Sequence, residues 1–203
     1  MSIRELYPSD VPEVVDVVSD SFADYPVMKF VLEHGCQGYE TRLQRFCHFI
    51  AMARVHRNEF MYGVRDTDRL QGVALVSLPN RSVKSHALEQ LRDELWRDLG
   101  DGPRERYAAY TGAVEPFMPR EHHYHINVLA VRSDAQGRGY ARALLDHVHT
   151  MAQRDAESSG VSLTTEKESN VSLYEHFGYR VLGQTTVVPE LVAWGFFRPR
   201  PGL

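Results

Sequence analysis

This sequence has no long apolar run, only two cysteines and no excess of positive charge. No apolar stretch approaches the roughly 20 residues that a helix needs to cross a bilayer, so we expect no membrane segment. The 203 residues carry 23 basic and 27 acidic side chains, which excludes the global basic field typical of nucleic-acid-binding proteins. The first residues, MSIRELYPSD, lack the apolar region of a signal peptide. We therefore expect a cytoplasmic protein that binds neither membranes nor nucleic acid.

The cysteines and histidines offer little for a metal site. Cys36 and Cys47 lie eleven positions apart and match no CxxC or Cys/His ligand spacing. We interpret them as reduced thiols, with a disulfide between them as the alternative. Among His122, His123 and His125, only the last two share a strand face, and no carboxylate or thiol has the right spacing beside them. The sequence therefore predicts no metal.

The pattern of apolar residues predicts one domain over residues 1–203. Helices are predicted near 10–24, 28–33, 38–56, 83–99, 104–114, 141–158 and 170–177, and strands near 2–5, 59–65, 70–78, 124–131, 161–165, 179–188 and 191–197. The strand, helix and strand between Tyr124 and Thr165 predict one parallel pair, and the hairpins predict antiparallel neighbours. The fold class is then α/β (α+β), a mixed and mostly antiparallel sheet of about seven strands with helices on both faces.

A glycine-rich turn precedes the most regular helix, in the stretch VRSDAQGRGYARALLDHV. Gln136, Gly139 and Ala141 have the spacing Q-x-x-G-x-A. Glycines let the backbone approach a ligand closely, and unpaired amides at a helix N-terminus favour an anion. Neither Gly-Lys-Ser/Thr nor G-x-G-x-x-G is present, so the pattern indicates neither a P-loop nor a Rossmann site. A pyrophosphate held by backbone amides is the functional interpretation, and a simple turn is the alternative.

A second motif follows this loop after one helix and one strand, in SLTTEKESNVSLYEHFGYRVLG. Its marker residues are Asn170, Tyr174, Gly178 and Tyr179. The two motifs in this order resemble the Gcn5-related N-acetyltransferase (GNAT) superfamily, and the resemblance covers about the last 80 residues. Small-molecule acetyltransferases of the puromycin N-acetyltransferase type look most similar among the members we can name.

The resemblance implies an acyltransferase that moves an acetyl group from acetyl-CoA to a primary amine of a small molecule. Attack would be direct, in a ternary complex. The residues expected to bind the cofactor are Val128, Leu129, Val131, Gln136, Gly137, Arg138, Gly139, Tyr140, Ala141, Asn170 and Tyr174. In the family, the central strand splays from its parallel neighbour, and one of its amides would stabilise the oxyanion.

The resemblance also implies roles in proton transfer. Tyr174 would donate a proton to the departing thiolate. His123 matches a family histidine, has a suitable pKa and ranks first as the general base. Glu166 is the other candidate, but the family's Glu-Thr stands here as Thr164-Thr165, which weakens the carry-over of a glutamate base.

The residues that bind the amine acceptor are the hardest to predict from the sequence. By resemblance, we expect substrate contacts from Phe22, Asp24 and Tyr25. The aromatic residues Tyr107, Tyr110 and Phe117 are interpreted as core rather than pocket. The slight net acidity fits a cationic amine. We expect a homodimer, because strand edges often pair in the family. There are two alternative functions: a non-catalytic acyl-CoA-binding module on the same fold, and a different nucleotide-binding enzyme.

Overall fold

Seven strands form one mixed sheet in the computed structural model, which describes residues 2–66, 68–79 and 85–202. The strands are β1 (Ser2–Glu5), β2 (Phe60–Asp66), β3 (Arg69–Ser77), β4 (Tyr124–Val131), β5 (Gly160–Thr165), β6 (Arg180–Val188) and β7 (Leu191–Pro199). Their order is β1-β2-β3-β4-β5-β7-β6. The β4–β5 pair is parallel and the other pairs are antiparallel, which confirms the predicted fold class.

Helices cover both faces of this sheet. They are α1 (Val11–Phe22), α2 (Pro26–Leu32), α3 (Tyr39–His56), α4 (His86–Leu99), α5 (Asp101–Val114), α6 (Tyr140–Arg154) and α7 (Val171–His176). Residues of α1 to α4 form one buried cluster with the sheet, and aromatic residues of α5 pack against it. A second cluster joins α6 and Tyr174 of α7 to the opposite face. None of the helices within the described ranges is long and apolar enough to cross a membrane.

Several helix boundaries differ from the sequence prediction: α1 ends at Phe22, α2 begins at Pro26 and α5 begins at Asp101, each two or three residues from the predicted position, and two further differences have local causes. The helix predicted from Val83, which lies outside the described residues, begins at His86, because the Ser85 hydroxyl caps it by accepting the Leu88 amide at 3.3 Å. α6 ends at Arg154 rather than near 158, and the Asp155 side chain then turns the chain by accepting the Glu157 amide at 3.0 Å. Thr67 and Asn80, placed in predicted turns, also lie outside the described residues.

The central strands separate halfway along their length. β4 and β5 pair only at Tyr124–Val161, His125–Ser162 and Ile126–Leu163. The register between β3 and β4 shifts at the same level, so that Asn127 is an extra residue on β4. Such a bulge bends the strand and turns it from its neighbour. The result is an opening between the carboxyl halves of β4 and β5.

The connection from α5 to β4 packs against β6 and β7, at one edge of the sheet. Gly183 and Gly195 are paired across β6 and β7, and the Phe117 ring covers both. A Cβ atom on Gly195 would lie 2.3 Å from the Phe117 Cβ, so a larger residue there would displace this connection. The predicted structural role of Phe117 therefore agrees with its position. It anchors the end of α5, which forms a wall of the cavity described next.

Candidate active site

A cavity of about 1150 Å³ occupies the opening between β4 and β5. The connection from α1 to α2 closes one side, α3, α4 and α5 form another, and α7 reaches its edge. The polar groups at its inner end are Tyr25, Tyr110, Glu166, Asn170 and Tyr174. Three of the five, namely Glu166, Asn170 and Tyr174, lie in the stretch SLTTEKESNVSLYEHFGYRVLG that contains the second motif.

Glu166 is a buried carboxyl group directly after β5. The Tyr110 hydroxyl donates a hydrogen bond of 2.5 Å to its Oε1 atom. Burial raises the pKa of Glu166 to about 7, against the smaller lowering effect of hydrogen bonds from Tyr110 and Tyr25. The same burial and the nearby Glu166 charge raise the pKa of both tyrosines, which therefore stay protonated as donors. The carboxyl group can exchange a proton near neutral pH.

Thr165, next to Glu166, joins the connection from α1 to α2 to Asn170 of the second motif. Its Oγ1 atom shares a hydrogen bond of 2.8 Å with the Tyr25 hydroxyl. It also accepts a hydrogen bond of 3.0 Å from the Asn170 side-chain amide. Because Thr165 is fully buried, this network fixes the connection from α1 to α2 against the end of β5.

Tyr174 lines the cavity from α7. Its ring packs against Phe196 and Tyr179 with centroid distances of 5.5 and 5.8 Å, which fixes its orientation. Burial, and after it the Glu166 carboxylate, raise the pKa of Tyr174 to about 12. The phenol therefore keeps its proton at neutral pH and is available as a donor.

The glycine-rich loop lies at the carboxyl end of β4, where α6 begins. Gly137 and Gly139 adopt φ values of 78° and 84°, which favour glycine, and a Cβ on either would meet nothing within 4 Å. No side chain caps the N-terminus of α6. Two hydrogen bonds fix the residues on either side of the loop. The Tyr140 hydroxyl donates to Asp66 at 2.6 Å, and the Ser133 amide donates to Asp20 at 2.6 Å. Its open, uncapped amides fit a pyrophosphate.

Comparison with known proteins agrees with this geometry. Residues 105–193 match the family model of the acetyltransferase (GNAT) domain. A solved structure of a histone acetyltransferase HPA2-related acetyltransferase from Corynebacterium glutamicum is similar over 100% of this chain and 98% of that one, with a TM-score of 0.68 and 17% identity. Residues 105–193 are therefore similar to the GNAT acetyltransferase domain, and the whole chain has the GNAT fold. This match supports the acyltransferase class, and the fold implies binding of acetyl-CoA.

Two further solved structures share the GNAT fold. Arylalkylamine N-acetyltransferase 2 from Aedes aegypti has a TM-score of 0.65 and 14% identity, covering 97% of this chain and 96% of that one. The C-terminal condensation domain of Ebony in complex with beta-alanyl-dopamine has a TM-score of 0.65 and 16% identity, covering 98% of both chains. At these identities the likeness shows the fold alone. No match was found among curated protein sequences.

Neither His123, directly before β4, nor His125, on β4, has the geometry of a general base. His123 is fully buried and lies outside the cavity lining, with Nδ1 2.8 Å from the Glu121 carbonyl oxygen and Nε2 3.3 Å from the Met118 sulfur. His125 reaches the cavity, but burial lowers its pKa to about 3 and its Nδ1 lies 2.8 Å from the Ser162 hydroxyl. The geometry therefore disfavours His123, the candidate that the sequence ranks first, because both its ring nitrogens already have partners.

The other residues singled out from the sequence divide between the cavity and its surroundings. Phe22, Tyr25 and Leu129 line the cavity, whereas Val128 and Val131 belong to the two buried clusters on opposite faces of the sheet. Asp24 does not line it. Its side chain is 83% exposed and pairs with Lys29 at 3.2 Å, so the structure does not support it as a substrate contact. Tyr107 and Tyr110, expected in the core, pack against the first buried cluster and also line the cavity.

Sequence reasoning missed a buried ion pair in the cavity wall. Arg54 of α3 and Glu59 lie 2.9 Å apart with both side chains only 6% exposed, and Arg54 also donates to the Asn127 side chain. This contact holds the extra residue of the β4 bulge. The signal was Arg54 itself, a charged residue four positions after Ile50 and seven after Cys47 on an otherwise apolar helix face.

One cluster outside the cavity has the composition of metal ligands. His122, Asp155 and Glu157 bring ligand atoms within 4.8 Å of one another. Asp155 already accepts from the Tyr124 hydroxyl at 3.1 Å and from the Glu157 amide at 3.0 Å, and lies 3.2 Å from the His122 ring. These contacts explain the cluster as a turn-forming network, and the absence of a metal stays a prediction.

Proposed function

We propose that this protein transfers the acetyl group of acetyl-CoA to a primary amine of a small molecule, by direct attack in a ternary complex. The observation that carries the proposal is the meeting of Glu166 and Tyr174 in one cavity at the β4–β5 opening. One group exchanges a proton near neutral pH, and the other keeps its proton. The small amine class is supported by two structural neighbours, an arylalkylamine N-acetyltransferase and a domain in complex with beta-alanyl-dopamine.

The loop of 136–141 would hold the diphosphate of acetyl-CoA, which supplies the acetyl group as an activated thioester. The open space above Gly137 and Gly139 fits an approaching phosphate, and the α6 dipole favours its charge. Arg138 adds a positive side chain to this loop, with Tyr140 and Ala141 beginning the helix. The carboxyl half of β4, which contains Leu129, would supply a backbone amide for the carbonyl oxygen in the transition state.

Glu166 would serve as the general base. Direct attack requires a neutral amine, so a group in the cavity must accept the proton of the bound ammonium. A carboxyl group with a pKa of about 7 is half ionised at neutral pH, and a base poised near the working pH is the most effective one. The hydrogen bond from Tyr110 fixes the orientation of Oε1.

Tyr174 would serve as the general acid. Its hydroxyl would donate a proton to the sulfur as the thioester bond breaks. Tyr174 and Glu166 share the cavity, and burial, followed by the Glu166 charge, raises the pKa of Tyr174, so the phenol keeps the proton that it would donate. Asn170 at the same edge would bind the cofactor arm.

A screen of primary amines with acetyl-CoA, read by release of free thiol, tests the proposal. We expect turnover with at least one small amine, and Tyr174→Phe should lower kcat while leaving acetyl-CoA affinity nearly unchanged. Binding of acetyl-CoA without thiol release across the panel would instead support a non-catalytic acyl-CoA-binding module. A Tyr174→Phe variant with full turnover would refute the assigned acid role.

Three other expectations are carried as predictions. A homodimer is tested by the mass of the protein in solution, and a cytoplasmic location by fractionation of cells. The similarity to puromycin-type enzymes is tested by including puromycin in the amine screen.

A further inference from the structure

We infer that the acceptor carries a carboxylate as well as its amine, with an apolar spacer between the two groups. This inference rests on the proposed function and names the substrate class of the same cavity. It reverses the expectation from the whole chain, whose net charge of −4 fits a cationic acceptor.

The charges that line the cavity have the opposite sign to those of the chain. The charged lining residues are Arg54, Arg57, Arg92, Arg104, Glu59, Glu115 and Glu166. Arg54 and Glu59 face each other at 2.9 Å and cancel. Glu166 lies at the inner end, where it would receive the amine. Among the residues that the structure describes, three exposed arginines and a single glutamate, Glu115, therefore set the charge of the remaining lining.

Arg57 lies on the side of the cavity that faces away from the pyrophosphate loop. The loop follows Val131 at the carboxyl end of β4. Arg57 lies between α3 and β2, close to Glu59, whose carboxylate accepts the Leu78 amide next to the amino end of β4. The charge of Arg57 is therefore placed to contact the acceptor rather than the phosphates of CoA.

An aromatic wall separates the arginines from the reacting end. Phe46, Trp96 and Tyr107 pack with ring centroids 5.3 to 6.2 Å apart, and all three line the cavity. Arg92 precedes Trp96 by four positions on α4, and Arg104 precedes Tyr107 by three on α5, so each arginine shares a helix face with its ring. An apolar spacer fits against these rings, with its anionic end toward the guanidinium groups.

The helix α5 sets the length of the spacer. Tyr110 contacts Glu166 at the reacting end, and Arg104 lies six positions earlier, about 9 Å along the helix axis at about 1.5 Å per residue. An α-amino acid is too short to contact both ends. The amine and the carboxylate are therefore separated by several atoms.

The arginines are available for this contact. Among the residues that the structure describes, Arg57 and Arg104 take part in no ion pair. Arg92 pairs only with its exposed neighbour Asp93 at 3.3 Å. Guanidinium groups bind carboxylates through paired hydrogen bonds, and such charge-assisted bonds are stronger than neutral ones.

Matched acceptors that differ only in the anion test the inference. Turnover of 6-aminohexanoate is compared with that of 6-aminohexanamide, and 4-(2-aminoethyl)benzoate with its benzamide. We expect kcat/KM to favour each carboxylate by about tenfold or more. The double variant Arg57→Glu and Arg104→Glu should reduce this ratio to about twofold or below. Arg97→Glu, a charge reversal on α4 outside the cavity lining, should keep it.

A binding measurement separates this inference from the proposed function. Calorimetry in the presence of CoA compares the acetylated products 6-acetamidohexanoate and 6-acetamidohexanamide. A carboxylate preference in binding without thiol release would keep the inference and refute the transferase. Thiol release with equal use of carboxylate and amide, or faster use of spermidine, would refute the inference and keep the transferase. A preference that survives the double charge reversal would also overturn it.

Discussion

The two ends of the proposed site are built from different chemical groups. The backbone end is the loop before α6, outside the cavity lining, where Gly137 and Gly139 adopt left-handed conformations over open space. The other end is the cavity wall at α3, α4 and α5, which consists of side chains, including the buried pair of Arg54 and Glu59. A backbone site depends on local glycine spacing, whereas a side-chain site depends on packing between distant segments. We therefore expect the backbone end to tolerate change around it, and the cavity wall to determine selectivity and to be more sensitive to mutation.

The largest effect on activity is expected at Glu166, at the inner end of the cavity. Glu166→Gln removes the proposed base but keeps the size of the side chain. We expect kcat to fall by about 10²- to 10⁴-fold, the usual contribution of a positioned base. The affinity for acetyl-CoA should stay nearly unchanged, because the backbone end is not altered.

The control for this change is Glu168→Gln, two positions later, at an exposed residue outside the cavity lining. It should keep full activity. The pH profile adds a second check: wild-type kcat/KM should rise with pH through an inflection near the pKa of about 7, and Glu166→Gln should lose that inflection. A Glu166→Gln variant with wild-type turnover would show that another group accepts the proton.

The next effect is on stability and comes from the buried ion pair. Arg54→Met leaves the Glu59 carboxyl group without its counter-charge, and we expect the free energy of unfolding to fall by about 3–5 kcal/mol at neutral pH. Burial raises the pKa of Glu59 and the Arg54 charge lowers it, so the loss of that charge should raise this pKa further in the folded state. The loss should therefore shrink as the pH falls toward the ordinary carboxyl pKa of 4.5.

The paired variant Arg54→Met with Glu59→Leu distinguishes the charge from the packing. It removes both charges and should recover most of the stability in denaturant unfolding. If the double variant is as unstable as the single one, the contact from Arg54 to Asn127 at the β4 bulge carries the effect instead.

A smaller effect is expected at the backbone end. Gly139→Ala places a side chain at φ 84°, which costs about 1–2 kcal/mol, and it should weaken acetyl-CoA binding by shifting the loop amides. Gly35→Ala is the matched control, because Gly35 has φ 91° and the same open space but lies far from the loop in sequence, between α2 and α3. Both variants should lose similar stability, and only Gly139→Ala should lose affinity. Equal affinity in the two variants would contradict the pyrophosphate assignment.

The smallest effect is a displaced pH profile. Tyr110→Phe removes a hydrogen bond that lowers the pKa of Glu166, so the inflection of kcat/KM should move to higher pH. Tyr7→Phe, at an exposed tyrosine, should leave the inflection in place. An unchanged inflection in Tyr110→Phe would mean that the hydrogen bond does not tune the carboxyl group.

The sequence predicted the fold well because its elements have local patterns. The seven strands and the helices follow apolar periodicity and turn residues, and the parallel β4–β5 pair follows from their order. The loop of 136–141 and the element with Asn170 and Tyr174 were also visible, because each is a short motif whose spacing is set by one helix end. Their binding and catalytic roles stay predictions.

The acceptor end was not predictable in the same way. Tyr110 lies 56 positions before its partner Glu166, and Arg54 lies 73 positions before Asn127. No local pattern links such pairs, because they meet only when α3 and α5 pack beside the β4 bulge. The role expected for Asp24 stays a prediction that the structure does not support, since its side chain turns outward to Lys29 and does not line the cavity.

The short pairing of β4 with β5 also divides the sheet mechanically. The strands β1 to β4 and the strands β5, β7 and β6 are joined by backbone pairing at only three residue pairs. A molecule seated in the opening would bridge the two halves and act as a brace between them. Its binding would connect the carboxyl halves of β4 and β5, which the second buried cluster otherwise joins only through the face of the sheet that packs against α6.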